Sequence, residues 1–307
     1  MSTYKINTEQ LTLIKEKPFK LEKEIQNIVE KNLQTLLGLD FIKTEFSIGS
    51  FRIDSLAFDS DKKSFVIIEY KRDKNFSVID QGYAYLSLML NNKAEFILEY
   101  NESKSGTLKR NDVDWSQSKV LFVSSNFTTY QKEAINFKDL PIELWEIKRF
   151  TNDTLSFEQI INRSSKESIK TVSNSETITT VSKEIKVYSE QDHLENIEDD
   201  FLSIYAEIKE FLLSFGEDIT IYPKKKTIGF KIGSKVFCDI VMQNKGIRLF
   251  LNAKKGTLKD PECITRDVSE VGHWGNGAYE VRFPLKKDAE IDSVFNLLRQ
   301  AINNNKE

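Results

Sequence analysis

The chain has 307 residues, 39% hydrophobic and 11% aromatic, enough apolar material for two domains with cores of their own. No apolar run approaches the ~20 residues needed to span a bilayer, and a net charge of −3 makes the chain as a whole no polycation. Two cysteines, Cys238 and Cys263, exclude a disulfide framework. The opening MSTYKINTEQ lacks the basic-then-apolar pattern of a secretory signal, so a cytoplasmic location is expected.

Residues 18–37 (PFKLEKEIQNIVEKNLQTLL) predict an amphipathic helix. Leu21, Ile25, Ile28, Val29, Leu33 and Leu36 share one stripe, and Gly38 stands where the helix would stop. Strands are predicted at 44–49, 51–58 and 65–71, with DSDKKS as a polar turn between the last two. Ser77 with Asp80 resembles a capping box and opens a helix that runs to about Leu90. Strands predicted at 95–100, 119–124 and 142–150 complete an α/β domain, a mixed sheet flanked by helices.

Residues 164–182 hold ten Ser/Thr and no aromatic, which predicts a linker over 164–187. It separates a first domain, 1–163, from a smaller α+β domain, 188–307. The second opens with an acidic helix (196–214) and continues as strands at 219–223, 227–232, 235–242 and 246–252. A helix at 288–303 closes it. Residues 190–220 carry a local charge of −9 and residues 221–260 one of +8. This asymmetry fits either two solvated faces that attract each other or a basic surface for phosphates.

The chemistry concentrates in FRIDSLAFDSDKKSFVIIEYKRD. A two-residue loop at Asp61 and Lys62 pairs the strands so that residue numbers sum to 123, which sets Asp54 opposite Glu69. Opposed residues share a face, with Cβ atoms about 4.5–5.5 Å apart, and Lys71 points the same way two residues on. A slip of one residue would turn Asp54 to the other face. Two adjacent carboxylates repel unless a cation lies between them, and hard oxygen ligands suit Mg²⁺ or Mn²⁺. Lys71 would orient the attacking water or steady negative charge, and the Tyr70 carbonyl is a further candidate ligand.

This layout resembles the PD-(D/E)XK nuclease superfamily over residues 18–100, with Ile53 where the family name has proline. Gln81 and Tyr85, at i and i+4 on one helix face, fit the QxxxY motif of the RecB-like branch. The resemblance implies a restriction-endonuclease-like fold and a divalent-metal-dependent nuclease. Its substrate would be DNA, with RNA as the alternative, and a homodimer is a candidate assembly. Gln81 and Tyr85 would position the DNA backbone or the metal-bound carboxylates. A glutamate on the first helix would be a further metal ligand. With Ile25 at zero, Glu22 falls near roughly +60°, at the margin of the apolar stripe, and Glu24 near roughly −100°, which favours Glu22. Glu30 points further out. Arg52, Arg72 and Lys74 are candidates for phosphate contacts. The rival readings are an inactive nucleic-acid-binding relative and a regulatory or assembly protein, such as one in antiviral defence.

The C-terminal domain resembles an uncharacterised bacterial domain family through YSEQDHLEN, KVFCDIV, GIRLFLN and DVSEVGHWGNGAYEVRF. More distantly it is similar to the MmcQ/YjbR group of small α/β domains, which implies DNA binding as a candidate role. His273 has no second ligand at metal spacing. Trp274, among Gly272, Gly275 and Gly277, reads as a packed loop aromatic, with a nucleic-acid platform as the alternative. The run YPKKKT at 222–227 fits a solvated turn or a phosphate contact.

Overall fold

A computed structural model describes residues 3–72, 77–161, 167–173, 175–216, 218–272, 275–285 and 290–306. The chain divides between Val187 and Tyr188 into two units. The first begins with a hairpin, β1 (Thr3–Asn7) and β2 (Gln10–Ile14), followed by helices α1 (Glu22–Lys31) and α2 (Leu33–Leu37). Then come β3 (Asp40–Ile48), β4 (Phe51–Asp59), β5 (Ser64–Lys71), α3 (Val78–Asn91) and α4 (Lys93–Lys104). The unit closes with β6 (Lys119–Ser124), α5 (Thr129–Ala134), β7 (Ile142–Arg149), β8 (Leu155–Ile160), α6 (Ile169–Val172) and α7 (Glu176–Glu184).

Strands β3 to β8 form one sheet in sequence order. The β5–β6 and β6–β7 pairs are parallel and the rest antiparallel, the expected mixed sheet. Strand β5, SFVIIEYK, is buried from Ser64 through Tyr70, as a strand covered on both faces must be. On one face Ile25, Val29 and Leu33 of α1 and α2 pack with Ala57, Val66, Ile68 and Tyr70. On the other, Tyr85, Leu86 and Met89 of α3 pack with Leu56, Phe58, Phe65 and Ile67. Gly82 lets α3 lie close to the sheet, because a Cβ there would collide with the Ile142 side chain.

Several expectations need correction. The helix predicted over 18–37 starts at Glu22 and breaks at Asn32, whose φ and ψ of −122° and 20° leave the helical region. Gly38 does end α2, in the left-handed conformation with φ 68°. The strand predicted at 95–100 is part of α4; EFILEY is a short apolar run that periodicity cannot assign, and Phe96 alone is fully buried. The β4–β5 loop spans four residues, 60–63, because the last rung is Asp59↔Ser64. The stretch read as a linker is largely helical: Ile169, Ile178, Val181 and Ile185 are buried in the first core, and α7 packs on α3. Its Ser/Thr residues cap those helices, Ser168 on Lys170 and Ser175 on Ile178.

The second unit comprises α8 (Glu190–Leu194), α9 (Asp199–Leu213), β9 (Ile219–Pro223), β10 (Ile228–Ile232), β11 (Lys235–Gln243), β12 (Gly246–Leu251), β13 (Thr265–Asp267), β14 (Tyr279–Phe283) and α10 (Ile291–Asn305). Its antiparallel sheet runs β13-β14-β12-β11-β10-β9. Helices α9 and α10 cover one face: Tyr205, Ile208, Leu212, Leu298 and Ile302 pack with Phe230, Ile240, Leu249 and Val281. On the other face Phe250 packs with Val241 and Val268, and Gly275 lies against its ring, where a Cβ would not fit. His273 and Trp274 fall outside the described residues. Among the described residues no helix is long and apolar enough to cross a membrane.

Candidate functional site

The β4–β5 register has residue numbers summing to 123, from Asp59↔Ser64 to Ser55↔Ile68. One step further it brings Asp54 to Glu69, and there the bonding changes. The Asp54 amide donates to Glu69 Oε1 at 3.2 Å, and the Tyr70 amide donates to Asp54 Oδ2 at 3.0 Å. Each carboxylate thus satisfies a backbone N–H on the opposite strand. Alternation sets Asp54, Glu69 and Lys71 on the α3 face, with Leu56 and Ile67. Lys71 Nζ lies 3.3 Å from Glu69 Oε2.

Helix α3 brings the other two expected residues. Ser77 caps it, accepting from the Asp80 amide, as predicted. Gln81 Nε2 donates to the Tyr85 hydroxyl at 3.4 Å, and that hydroxyl donates to the Arg52 carbonyl at 3.4 Å. Tyr85 is buried; burial and then the Glu69 charge raise its pKa. Asp54, Glu69, Lys71, Gln81 and Tyr85 therefore gather at one end of the sheet.

The electrostatics are those of an under-compensated acid pair. Burial, and secondly the Asp54 charge, push the Glu69 pKa up to about 7. Burial also raises that of Asp54, against the opposing pull of the Tyr70 amide and Lys71. Among the described residues, the Lys71 ammonium serves both carboxylates.

The first-helix candidates separate. Helix α1 lies on the sheet face away from Glu69. Glu22 reaches round the strand end, accepting from the Arg72 amide at 2.7 Å, and its charge is among the causes that raise the Asp54 pKa. Glu24 is drawn to Arg149, 3.2 Å away. Glu30 accepts from Ser55 Oγ at 2.6 Å, on the α1 face. Among the described residues no three His, Cys, Asp or Glu side chains gather closely enough to hold a metal ion. Arg52 pairs with Glu45 at 2.9 Å, and Arg72 Nη1 donates to the Lys20 carbonyl at 2.9 Å. Lys74 falls outside the described residues.

Sequence reasoning missed Gln26. It is buried at 4% exposure and donates to the Asp54 carbonyl (2.9 Å), Thr44 Oγ1 (3.1 Å) and Glu30 Oε1 (2.9 Å), tying α1 to the strand that carries Asp54. The available signal was an amide beside Ile25 in the apolar stripe.

Residues 190–305 match the family model "Domain of unknown function (DUF5655)". An uncharacterised protein of Haemophilus influenzae is 48% identical over 295 residues, covering 95% of this chain and 96% of that one. Among solved structures, a repair endonuclease from Pyrococcus abyssi aligns at 15% identity and TM-score 0.25, over 47% of this chain and 64% of that one. The Ca²⁺ complex of Pyrococcus furiosus SfsA aligns at 16% identity and TM-score 0.23, over 52% and 74%. Superpositions this loose say nothing of chemistry.

Proposed function

The chain belongs to one family with the uncharacterised Haemophilus influenzae protein, and we propose from its own residues that it is a divalent-metal-dependent nuclease acting on DNA. The observation that carries this reading is the junction at Asp54 and Glu69, where two carboxylates of raised pKa share the ammonium of Lys71.

The donor set fits a hard cation. Mg²⁺ is commonly held by one or two protein carboxylates, with water and substrate phosphate completing its shell, so a third acid is not required. Asp54 and Glu69 would hold it, with Glu22 and the Tyr70 carbonyl as further candidates. A bound Mg²⁺ or Mn²⁺ would polarise the scissile phosphate and acidify a bound water. Lys71 steadies the charge that develops on the phosphoryl oxygens. Tyr85 and Gln81 hold the end of β4 through the Arg52 carbonyl, which keeps Asp54 in place.

The test is cleavage of plasmid, linear and single-stranded DNA with Mg²⁺ or Mn²⁺. Wild type is expected to cut, and Asp54→Ala and Lys71→Ala are expected to be inactive; cleavage surviving in both sinks the assignment. A second reading, a nucleic-acid-binding protein without turnover, is favoured by the structural use of both carboxylates, each of which accepts from a backbone amide of the opposite strand. Tight, salt-sensitive binding without cleavage in any metal would select it.

A further inference from the structure

The second unit carries a charge arrangement that the nuclease reading leaves unused. Glu280 on β14 is fully buried, and three arginines surround it. Arg248 of β12 donates through Nε to Oε1, and Arg282 through Nε to Oε2 at 3.0 Å. Arg266 of β13 has Nη1 3.7 Å from Oε2. One guanidinium would neutralise Glu280. Three leave a surplus of two positive charges.

Arg248 and Arg282 are direct cross-strand partners, and like charges directly opposite each other destabilise a sheet. Arg266 is the partner of Glu280 on the neighbouring strand, so all four side chains share the face away from α9 and α10. Side-chain exposures of 52% for Arg266 and 53% for Arg282 leave their guanidinium groups in reach of solvent. A depression of about 170 Å³, lined by Gln243, Ile247, Arg248, Arg282 and Phe283, opens beside them.

We propose that this three-arginine face binds the phosphodiester backbone of nucleic acid, with Glu280 holding the guanidinium groups in position. The three guanidinium groups all lie within 3.7 Å of one carboxylate, so they form one compact cationic patch across three adjacent strands. Successive charges of a nucleic-acid strand, one per about 3.4 Å, would keep such a patch supplied with phosphates. Guanidinium forks suit phosphate oxygens. The acidic first turn of α9, Asp199 and Asp200, belongs to the other side of the sheet, so a polyanion is attracted to one side of this unit and repelled from the other. The inference stands on the second unit alone and does not require cleavage.

The experiment is fluorescence anisotropy with a labelled 20-mer DNA, single- and double-stranded. It uses the full chain carrying Asp54→Ala, in EDTA, across a salt series, with melting temperatures recorded in parallel. Arg266→Ala and Arg282→Ala are each expected to weaken binding several-fold and to lower the slope of log K against log salt by roughly 0.9 on the duplex. Arg266→Ala is the variant least able to disturb the fold, because its contact with Glu280 is the longest. Arg299→Ala, an exposed arginine on α10, is expected to change neither quantity. Affinity and slope unchanged in a folded Arg266→Ala, Arg282→Ala double variant overturn the proposal. Displacement of DNA by polyglutamate at equal charge also overturns it, in favour of an acidic protein partner.

Discussion

Glu69 in the first unit and Asp239 in the second are both buried, at 2% and 0% exposure, yet they are met in opposite ways. Asp239 has Lys224 Nζ at 2.8 Å, Thr227 Oγ1 at 2.8 Å and the Asn276 amide at 3.1 Å. Glu69 has one amide, the Tyr85 hydroxyl and a lysine at 3.3 Å, with a second carboxylate beside it. Asp239 is a closed buried ion pair, complete within the protein. Among the described residues, the Asp54–Glu69 pair is one positive charge short, and Glu280 has two to spare. The same physics of buried charge thus separates an acid closed by its own lysine, an acid pair with one ammonium between them and an acid ringed by three guanidinium groups.

The largest expected effect tests that reading of the pair. Asp54→Ala should lower metal-dependent plasmid cleavage by roughly a thousandfold. Cleavage at the wild-type rate would leave Glu69 no different in kind from Asp239.

Next is the closed pair. Lys224→Met strands Asp239 without its cation and should cost about 3–5 kcal/mol in urea denaturation, whereas Lys224→Met with Asp239→Leu should recover much of the loss. A mild single variant would show that Asp239 does not depend on its lysine.

The acid pair should also leave a pH signature. Glu69 has a folded pKa of about 7 against an ordinary value of 4.5, so the folded state holds the extra proton between these values. Stability from this group is therefore present below about pH 4.5 and lost as pH rises through 7. Glu69→Gln should stabilise the protein at pH 8 by up to ~3 kcal/mol, with no gain below pH 4.5. Added Mg²⁺ should raise the melting temperature of the wild type at pH 8 and not that of Glu69→Gln. A gain independent of pH would mean that Glu69 is not charged against its surroundings.

The smallest effect is local. Ser77→Ala removes the α3 cap and should cost about 1 kcal/mol with no change in the pH profile.

Much of the geometry of the candidate site was legible because hairpin register and strand alternation are local. Residue numbers summing to 123 put Asp54 against Glu69, and they still do so although the loop is two residues longer than expected. The Ser77 cap likewise follows from four adjacent residues. Elements failed where the signal was ambiguous at short range. EFILEY suits a strand as well as a helix, and a Ser/Thr-rich run serves helix caps as readily as a linker. Ile178 and Val181 are buried against a surface that their own neighbourhood in the chain does not describe.

The residue types of the site and its strand pairing follow from a segment of some twenty residues, because period-two alternation and a short loop leave few ways to pair it. The fates of Glu22, Glu24 and Glu30 do not follow from that segment, since they depend on which face of the sheet α1 covers and on Arg149, far along the chain. Nor does the arginine face. Residues 248, 266 and 282 become neighbours through the strand order β13-β14-β12, a non-local pairing that leaves no trace in any local pattern. Buried charge is settled by the sum of its neighbours, and those neighbours are chosen by the fold.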